Sequence, residues 1–182
     1  RGEVTEYIYY ENHHDTVRYV GKEQCRMCHA EIYDSYIETG MGKSFHFAIK
    51  EHSDLVASQI PLIHDSIKNL SYKPFWKDDS LYLKEFRIRG KDTVHMLVKK
   101  VDYKIGSGHH TNSHLFAING YVHQMPYTYY TQHKIADLPP GFEDGHNTRF
   151  SREIGLECMS CHNAFSQHES GSINKYKSIP LG

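Results

Sequence analysis

Features typical of membrane and nucleic-acid-binding proteins are scarce in this sequence of 182 residues. No apolar run approaches the roughly 18 residues that a membrane-spanning helix needs. The formal net charge is −1, so charge gives no reason to expect binding to nucleic acid or to an anionic membrane. We therefore predict no membrane span and no nucleic-acid partner. The chain begins with Arg1 and shows no signal peptide, so we expect that an export signal has already been removed.

Cysteine is also rare, and all four cysteines fall into two copies of one pattern. The copies are Cys25-Arg26-Met27-Cys28-His29 and Cys158-Met159-Ser160-Cys161-His162. Cys-x-x-Cys-His is the attachment pattern of c-type haem. Two thiols at this spacing form thioether bonds to the vinyl groups of one haem, and the adjoining His ligates the iron. The pattern predicts two covalently attached haem c groups, bound through Cys25, Cys28, Cys158 and Cys161, with His29 and His162 as proximal ligands.

Three other uses of the cysteines compete with haem attachment. A zinc site is disfavoured because the two pairs lie far apart, and zinc gives no reason for a His after each pair. A redox-active dithiol of thioredoxin type needs a strand-to-helix unit, which the flanking sequence does not show. A disulfide within each pair would be strained. Haem attachment is therefore the favoured interpretation.

The pattern of apolar residues predicts an α+β fold with a large irregular content. Residues 1–18 are polar and are interpreted as an N-terminal arm, whereas residues 19–182 are expected to form one dihaem domain. Helical spacing over residues 23–39 places the first motif on a helix. We expect the second motif on a short helix as well.

Strand patterns lie between the two motifs. Alternation over residues 81–88, a turn at Gly90 and a second strand over residues 94–101 indicate one hairpin. Asn119-Gly120 between apolar runs indicates another. Residues 45–70 fit no clear pattern. Together these features predict a small antiparallel β-meander flanked by short haem-bearing helices, with a core organised by the two haems.

The distal iron ligands are the open part of this prediction. Two His ligands on each iron suit electron transfer, because neither spin state nor ligation need change on reduction. His110 is the first candidate, since the glycines just before it allow the backbone to approach a macrocycle closely. His46, just past the first helix, is the second. The distal alternatives are Met41, His123 and His114; a buried core Met and a polar hairpin face are the competing interpretations.

Several segments resemble exported multihaem c-type cytochromes, including relatives of hydroxylamine-oxidation electron carriers and cytochromes fused to tetratricopeptide repeats. The similarity begins at Tyr19-Val20-Gly21, resumes at Ile105-Gly106-Ser107-Gly108, and includes Pro140-Gly141-Phe142 as well as both motifs. It implies an extracytoplasmic, largely bis-His electron carrier, and it favours His110 as a ligand. In that family a segment like residues 178–182 leads into another Cys-x-x-Cys-His. We therefore expect this chain to be a processed or truncated piece of a longer precursor.

The function predicted from these features is electron transfer in the periplasm or outside the cell. Its partners would be redox proteins or extracellular electron acceptors. One alternative is a subunit of a polymeric extracellular filament, a homopolymer in which haems of neighbouring subunits meet. A haem enzyme, such as a peroxidase or a nitrogen-oxide reductase, is less favoured because it needs an open iron site. The 15 His residues argue against such a site, so we predict a carrier rather than an enzyme.

Overall fold

A computed structural model of the chain describes residues 10, 11, 14, 16–163 and 166–179. Most of the predicted N-terminal arm lies outside these residues, so the boundary between arm and domain stays a prediction. In chain order the elements are α1 Lys22–Tyr36, β1 Phe45–Phe47, a 3-10 turn Lys50–His52, β2 Ile63–Asp65, β3 Leu70–Lys77, β4 Ser80–Arg89, β5 Asp92–Lys100, β6 Tyr103–Ile105, β7 Thr111–Ile118, β8 Tyr121–Tyr130, β9 Ile135–Asp137, β10 Arg152–Glu153, α2 Leu156–His162, β11 Gln167–His168 and β12 Tyr176–Ser178.

The described strands form three sheets, and every pairing is antiparallel. One sheet has the order β2-β3-β4-β5. The largest has six strands in the order β1-β6-β7-β8-β10, with β9 also pairing with β8. The strands β11 and β12 form a small third sheet. The two hairpins that the sequence predicts, β4-β5 and β7-β8, lie in the four-stranded and the six-stranded sheet.

Tight turns close these two hairpins where the sequence predicts them. Asn119 and Gly120 both have positive φ, 52° and 84°, as a two-residue hairpin turn that follows the strand twist requires. Gly90, with φ of 63°, begins the turn between β4 and β5. The strands predicted over residues 81–88 and 94–101 and the Asn-Gly hairpin are thus confirmed, because local turn chemistry and alternation determine them.

Two clusters of buried side chains form the core of the described residues. The first joins the two larger sheets through residues such as Tyr72, Leu83 and Tyr127. The second lies under β1, β7, β8 and α2, and its members are Phe45, Leu115, Val122, Ile154, Met159 and Tyr176. This second cluster fixes α2 to the six-stranded sheet.

An ion pair between a buried carboxylate and a partly exposed arginine attaches the segment before α2 to the four-stranded sheet. The Glu85 carboxylate on β4 is fully buried and accepts two hydrogen bonds from the Arg149 guanidinium. The distance from Arg149 Nε to Glu85 Oε2 is 2.9 Å. His95 Nε2 lies 2.8 Å from the same carboxylate. Burial pushes the pKa of Glu85 up, but the hydrogen bonds from Arg149 and His95 outweigh burial and hold it below its ordinary value. Arg149 itself has positive φ, so this contact holds a strained backbone position.

The predicted α+β fold, a β-meander flanked by haem-bearing helices around a core organised by two haems, is wrong. Strands dominate the described residues, which contain two α-helices and three antiparallel sheets. Buried side chains, most of them from the sheets and from α2, form the two core clusters. The prediction failed where pairing is long-range: β1 pairs with β6, and β10 pairs with β8, and neither short strand has a local signal. The helix α1 could not flank a core, since none of its residues is buried.

Candidate functional site

The first motif lies on the exposed helix α1. Cys25 and Cys28 stand three residues apart, so their side chains project from neighbouring positions on the helix surface, and both are exposed. His29 interrupts the helix, with φ of −126° and ψ of 43°. Cys25 and His29 line one cavity of about 330 Å³ together with the apolar side chains of Tyr19, Ile32 and Tyr36. The kink thus turns the His toward the same space as one thiol.

The helix α1 has no buried side chain that packs it against the sheets. All of α1 lies within the described residues, and none of its fifteen residues is buried. Isolated helices of about 12–15 residues are marginal in water, so most helices depend on a packed apolar face. Its ion pair, between Arg26 and Asp34 at 3.0 Å, is exposed and contributes little. We conclude that α1 depends for its stability on whatever covers its apolar side.

The second motif lies on α2 and is anchored. Met159, inside the motif, is fully buried in the second core cluster. Both thiols and the imidazole of the motif line one cavity of about 370 Å³, whose walls include Ile105, Leu115 and Ile154. This cavity therefore combines three reactive groups, Cys158, Cys161 and His162, with a lining that is apolar on one side and carries Gln124 and Glu157 as well.

Partial burial changes the ionisation of two of these groups. Burial, assisted by the neighbouring Glu157 carboxylate, raises the pKa of the Cys158 thiol. Burial against the cavity wall lowers the pKa of His162. Both shifts favour the neutral form, as expected when a low-dielectric wall replaces water on one side of an ionisable group.

A third and larger cavity, of about 630 Å³, lies beside α1. Its wall includes His46 from β1 and His52 from the 3-10 turn, whose rings stack with centroids 4.4 Å apart. Burial, and then the charge of His52, lowers the pKa of His46 to about 4. Lys22 and Tyr33 line both this cavity and the one at Cys25. The His46 ring is therefore neutral near pH 7 and lies in the space adjoining the first motif.

One strand separates the spaces that belong to the two motifs. Lys104 of β6 lines the large cavity beside α1, whereas its neighbour Ile105 lines the cavity at α2. Successive side chains of a strand point to opposite faces, which explains this division. The Ser44 hydroxyl, just before β1, lies between two backbone carbonyl oxygens, that of Met41 at 2.8 Å and that of His162 at 3.2 Å. Ser44 thus brings the segment after α1 into contact with the end of α2.

Gly106, one of the glycines before His110, lies against the backbone of the next strand. Gly106 has φ of 130°, and a Cβ there would lie 2.1 Å from the carbonyl oxygen of Thr111. The close approach that requires glycine is therefore made to the chain's own backbone. His110 is exposed, its carbonyl accepts from Thr131, and it lines none of the three cavities described above.

The remaining predicted ligands lie in separate places. His114 is buried in the core, where Nδ1 is 3.2 Å from the Tyr127 carbonyl oxygen and burial lowers its pKa to about 4. His123 stacks on Phe116, with ring centroids 5.3 Å apart. Met41 is exposed. The fold therefore brings none of these three to a cavity beside either motif.

The prediction of two haem c irons is contradicted by this arrangement. Residues 10–11, 14, 16–163 and 166–179 contain no cluster of three or more His, Cys, Asp or Glu side chains that could hold a metal ion. The physical reason is that the candidate distal ligands are distributed among the core, the surface and a neighbouring cavity. The described residues therefore do not assemble the ligand sets of two iron centres. The attachment residues themselves, Cys25, Cys28, Cys158 and Cys161, stay a prediction that nothing tests.

Two relevant residues were missed by the sequence reasoning. His52 reaches His46 because the 3-10 turn Lys50–His52 reverses the chain after β1. Ser44 reaches His162 only through the tertiary contact between β1 and α2. Neither has a recognisable pattern, and only the excess of His pointed in this direction.

Comparison of the chain with known protein families, curated proteins and solved structures found no match. The resemblance to multihaem cytochromes therefore stays a hypothesis that depends on the quoted motifs. Among the described residues, no helix combines the length and the apolar character that crossing a membrane requires.

Proposed function

We propose that this chain is an electron-transfer protein that works outside the cytoplasm, with a redox group attached at its second Cys-x-x-Cys-His helix. One observation carries the proposal: Cys158, Cys161 and His162 all line a single cavity with apolar walls. It belongs, on this proposal, to the class of c-type cytochromes that its motifs resemble. Double Cys→Ser variants of each motif determine how many groups are attached.

The chemistry of the three groups fits covalent attachment. Thiols three residues apart on one helical turn suit thioether bonds to two neighbouring vinyl groups of one macrocycle. Cys158, Cys161 and His162 would hold such a group between them. When bound, the group supplies a one-electron couple, which is the chemistry that electron transfer requires.

The surrounding side chains would set the environment and the position of the attached group. Ile105, Leu115 and Ile154 would place an apolar wall against a bound group, and the polarity of its surroundings is one of the factors that set a redox potential. Met159 holds the helix in place from its buried side. The Ser44 hydroxyl, 3.2 Å from the backbone carbonyl oxygen of His162, packs against the end of the motif.

Placement outside the cytoplasm follows from the same proposal. All four cysteines are free in the structure, so none is engaged in a disulfide that would compete with attachment. The multihaem cytochromes that the motifs resemble are exported proteins. No structural observation favours the filament or the enzyme over a carrier, and both remain sequence-based predictions.

The test is expression of the whole chain with an export signal in a host that matures c-type cytochromes. We expect an intact mass above that of the polypeptide and an absorbance spectrum that changes reversibly on reduction. The double variant Cys158→Ser/Cys161→Ser should lose the part of both signals that belongs to the second motif. Ser160→Ala, within the same motif but without a thiol, is the matched control and should retain them.

A second double variant, Cys25→Ser/Cys28→Ser, counts the groups. If this variant loses part of the extra mass and of the absorbance change, a group is attached at α1 as well. If both are unchanged, attachment is restricted to α2. The proposal is overturned if the wild-type chain, folded by circular dichroism, has only its polypeptide mass and no reversible redox signal.

A further inference from the structure

The outer edge of β5 is unpaired in the described structure. Strand β5 stands at one end of the four-stranded sheet, and β4 is the one described strand that pairs with it. It is nine residues long and contains no proline. Unpaired backbone N–H and C=O groups on a strand of this length are a template for another strand.

Exposed apolar side chains follow this edge. Val94, Met96 and Val98 alternate along β5 and are 50%, 65% and 43% exposed. On β4, Phe86 stands opposite Met96, and Ile88, close to the start of β5, is also exposed. The edge therefore continues into an apolar strip on the face of the sheet. Grouped exposed apolar side chains of this kind indicate an interaction surface.

The sequence of β5 is complementary to itself when it is read in the opposite direction. Antiparallel pairing of two copies about Met96 sets Val94 of each copy opposite Val98 of the other. The same register brings the acidic end, Asp92, to the basic end, Lys100. A two-fold axis makes each of these contacts twice. Apolar side chains thus meet apolar ones, and opposite charges meet at both ends.

Two features that usually protect a strand edge do not prevent this pairing. Lysines discourage unwanted pairing, but here the terminal Lys100 meets an acidic partner in the second copy. A bulge lies in the pairing of β4 with β5 between Arg87 and Ile88, near the start of β5. From His95 to Lys100 the pairing is regular, so most of the edge keeps strand geometry.

From these observations we infer that two copies of this chain associate through antiparallel pairing of their β5 strands, so that their four-stranded sheets become one continuous sheet. A second copy fits better than an unrelated strand, because the complementary charges and apolar residues lie within β5 itself. The pairing is isologous, so it closes at two copies and does not continue into a filament. The inference is independent of the proposed redox group.

The first test is the mass of the full chain in solution by sedimentation velocity over a range of concentrations. We expect the wild-type chain to change from one to two copies as concentration rises. Met96→Lys should weaken the association by roughly tenfold or more, since it places a charge at the two-fold axis of an apolar contact. Ile67→Lys is the matched control, because Ile67 is equally exposed at 65% but lies between β2 and β3. It should leave the association unchanged.

The second test separates pairing from a general loss of structure. Asp92→Lys alone and Lys100→Asp alone should each weaken the dimer, and the combined variant should restore it, because opposite charges meet again. Damage to the fold would not be reversed by the second change. The inference is overturned by a wild-type chain that stays monomeric at every concentration, by assemblies larger than two copies, or by equal effects of Met96→Lys and Ile67→Lys.

Discussion

The helices α1 and α2 carry the same five-residue pattern, but the fold treats them differently. Met159 in the second motif is completely buried, whereas Met27 in the first is 77% exposed. The longer helix, α1, has no buried residue, and the shorter one is attached to a core cluster. Local sequence therefore sets the spacing of the thiols and the imidazole, and the neighbouring sheet decides whether all three line one cavity.

This difference has a consequence for stability. A helix with no packed side depends on what covers it, while a helix with a buried anchor keeps its place without help. Changes around α2 should therefore weaken the fold, and comparable changes on α1 should not. The predictions below test this contrast, beginning with the largest expected effect.

Removal of the buried carboxylate that holds the segment before α2 should have the largest effect. Glu85→Ala removes the buried acceptor of the hydrogen bonds from Arg149 and His95. At about 1.5–3 kcal/mol for each hydrogen bond to a charged group, we expect a loss of about 3–5 kcal/mol in the free energy of unfolding. Asp34→Ala breaks the exposed Arg26–Asp34 pair of α1 and should cost about 0–1 kcal/mol. Urea unfolding of both variants measures the difference. Equal losses would contradict the contrast between the two regions.

Truncation of the methionine in each motif compares the helices directly. Met159→Ala leaves a cavity in the second core cluster and should lower the free energy of unfolding by about 2–5 kcal/mol. Met27→Ala removes an exposed side chain and should change it by about 0.5 kcal/mol or less. Thermal or urea unfolding gives both values. A large effect of Met27→Ala would show that α1 is covered in solution.

The free energy of unfolding as a function of pH tests the environment of His46 in the cavity beside α1. His46 is neutral in the folded chain because its pKa is lowered to about 4, whereas in the unfolded chain it titrates near 6.5. The unfolded state binds the extra proton between these values, so stability should fall as pH decreases from about 6.5 to about 4. His46→Asn should make this decrease shallower.

An exposed histidine serves as the control for this experiment. His64→Asn, on the outer strand β2, should leave the slope close to that of the wild-type chain. Part of the slope will persist in His46→Asn, because the buried His114 also has a pKa lowered to about 4. An unchanged slope in His46→Asn would show that its ring is not buried in solution.

The smallest expected effect is a difference in thiol reactivity. In chain produced without maturation, Cys158 should alkylate a few times more slowly than Cys28, because burial raises the pKa of Cys158 and the thiolate is the reactive form. Mass spectrometry of peptides after brief treatment with iodoacetamide measures the order. In urea the two rates should converge. Faster labelling of Cys158 in the folded chain would argue against the anchored cavity at α2.

Part of the fold was predictable because it depends on nearby residues. Alternation and turn chemistry predicted β4, β5 and the β7-β8 hairpin, and Asn119-Gly120 adopts the backbone that this turn needs. The strands β1 and β10 have three and two residues, and they pair with β6 and β8, which lie far along the chain. Such pairings leave no periodic pattern, which is why the fold class was predicted wrongly.

The candidate site divides in the same way. The spacing of Cys158, Cys161 and His162 predicted three groups on one helix, and all three line one cavity. The distal candidates could not be placed, because a single His has no local pattern that distinguishes a core position from a surface one. His114 proved to be a core residue and His110 an exposed one.

The sequence by itself determined the two Cys-x-x-Cys-His segments, the tight hairpin turns and the self-complementary order of charges in β5. These depend on neighbours within a few residues, for which spacing and backbone preference are sufficient. Only the tertiary structure decided which motif is anchored, that β6 separates the two cavities, and that His46 meets His52. Each of these depends on contacts between distant segments, where burial and long-range strand pairing determine the outcome.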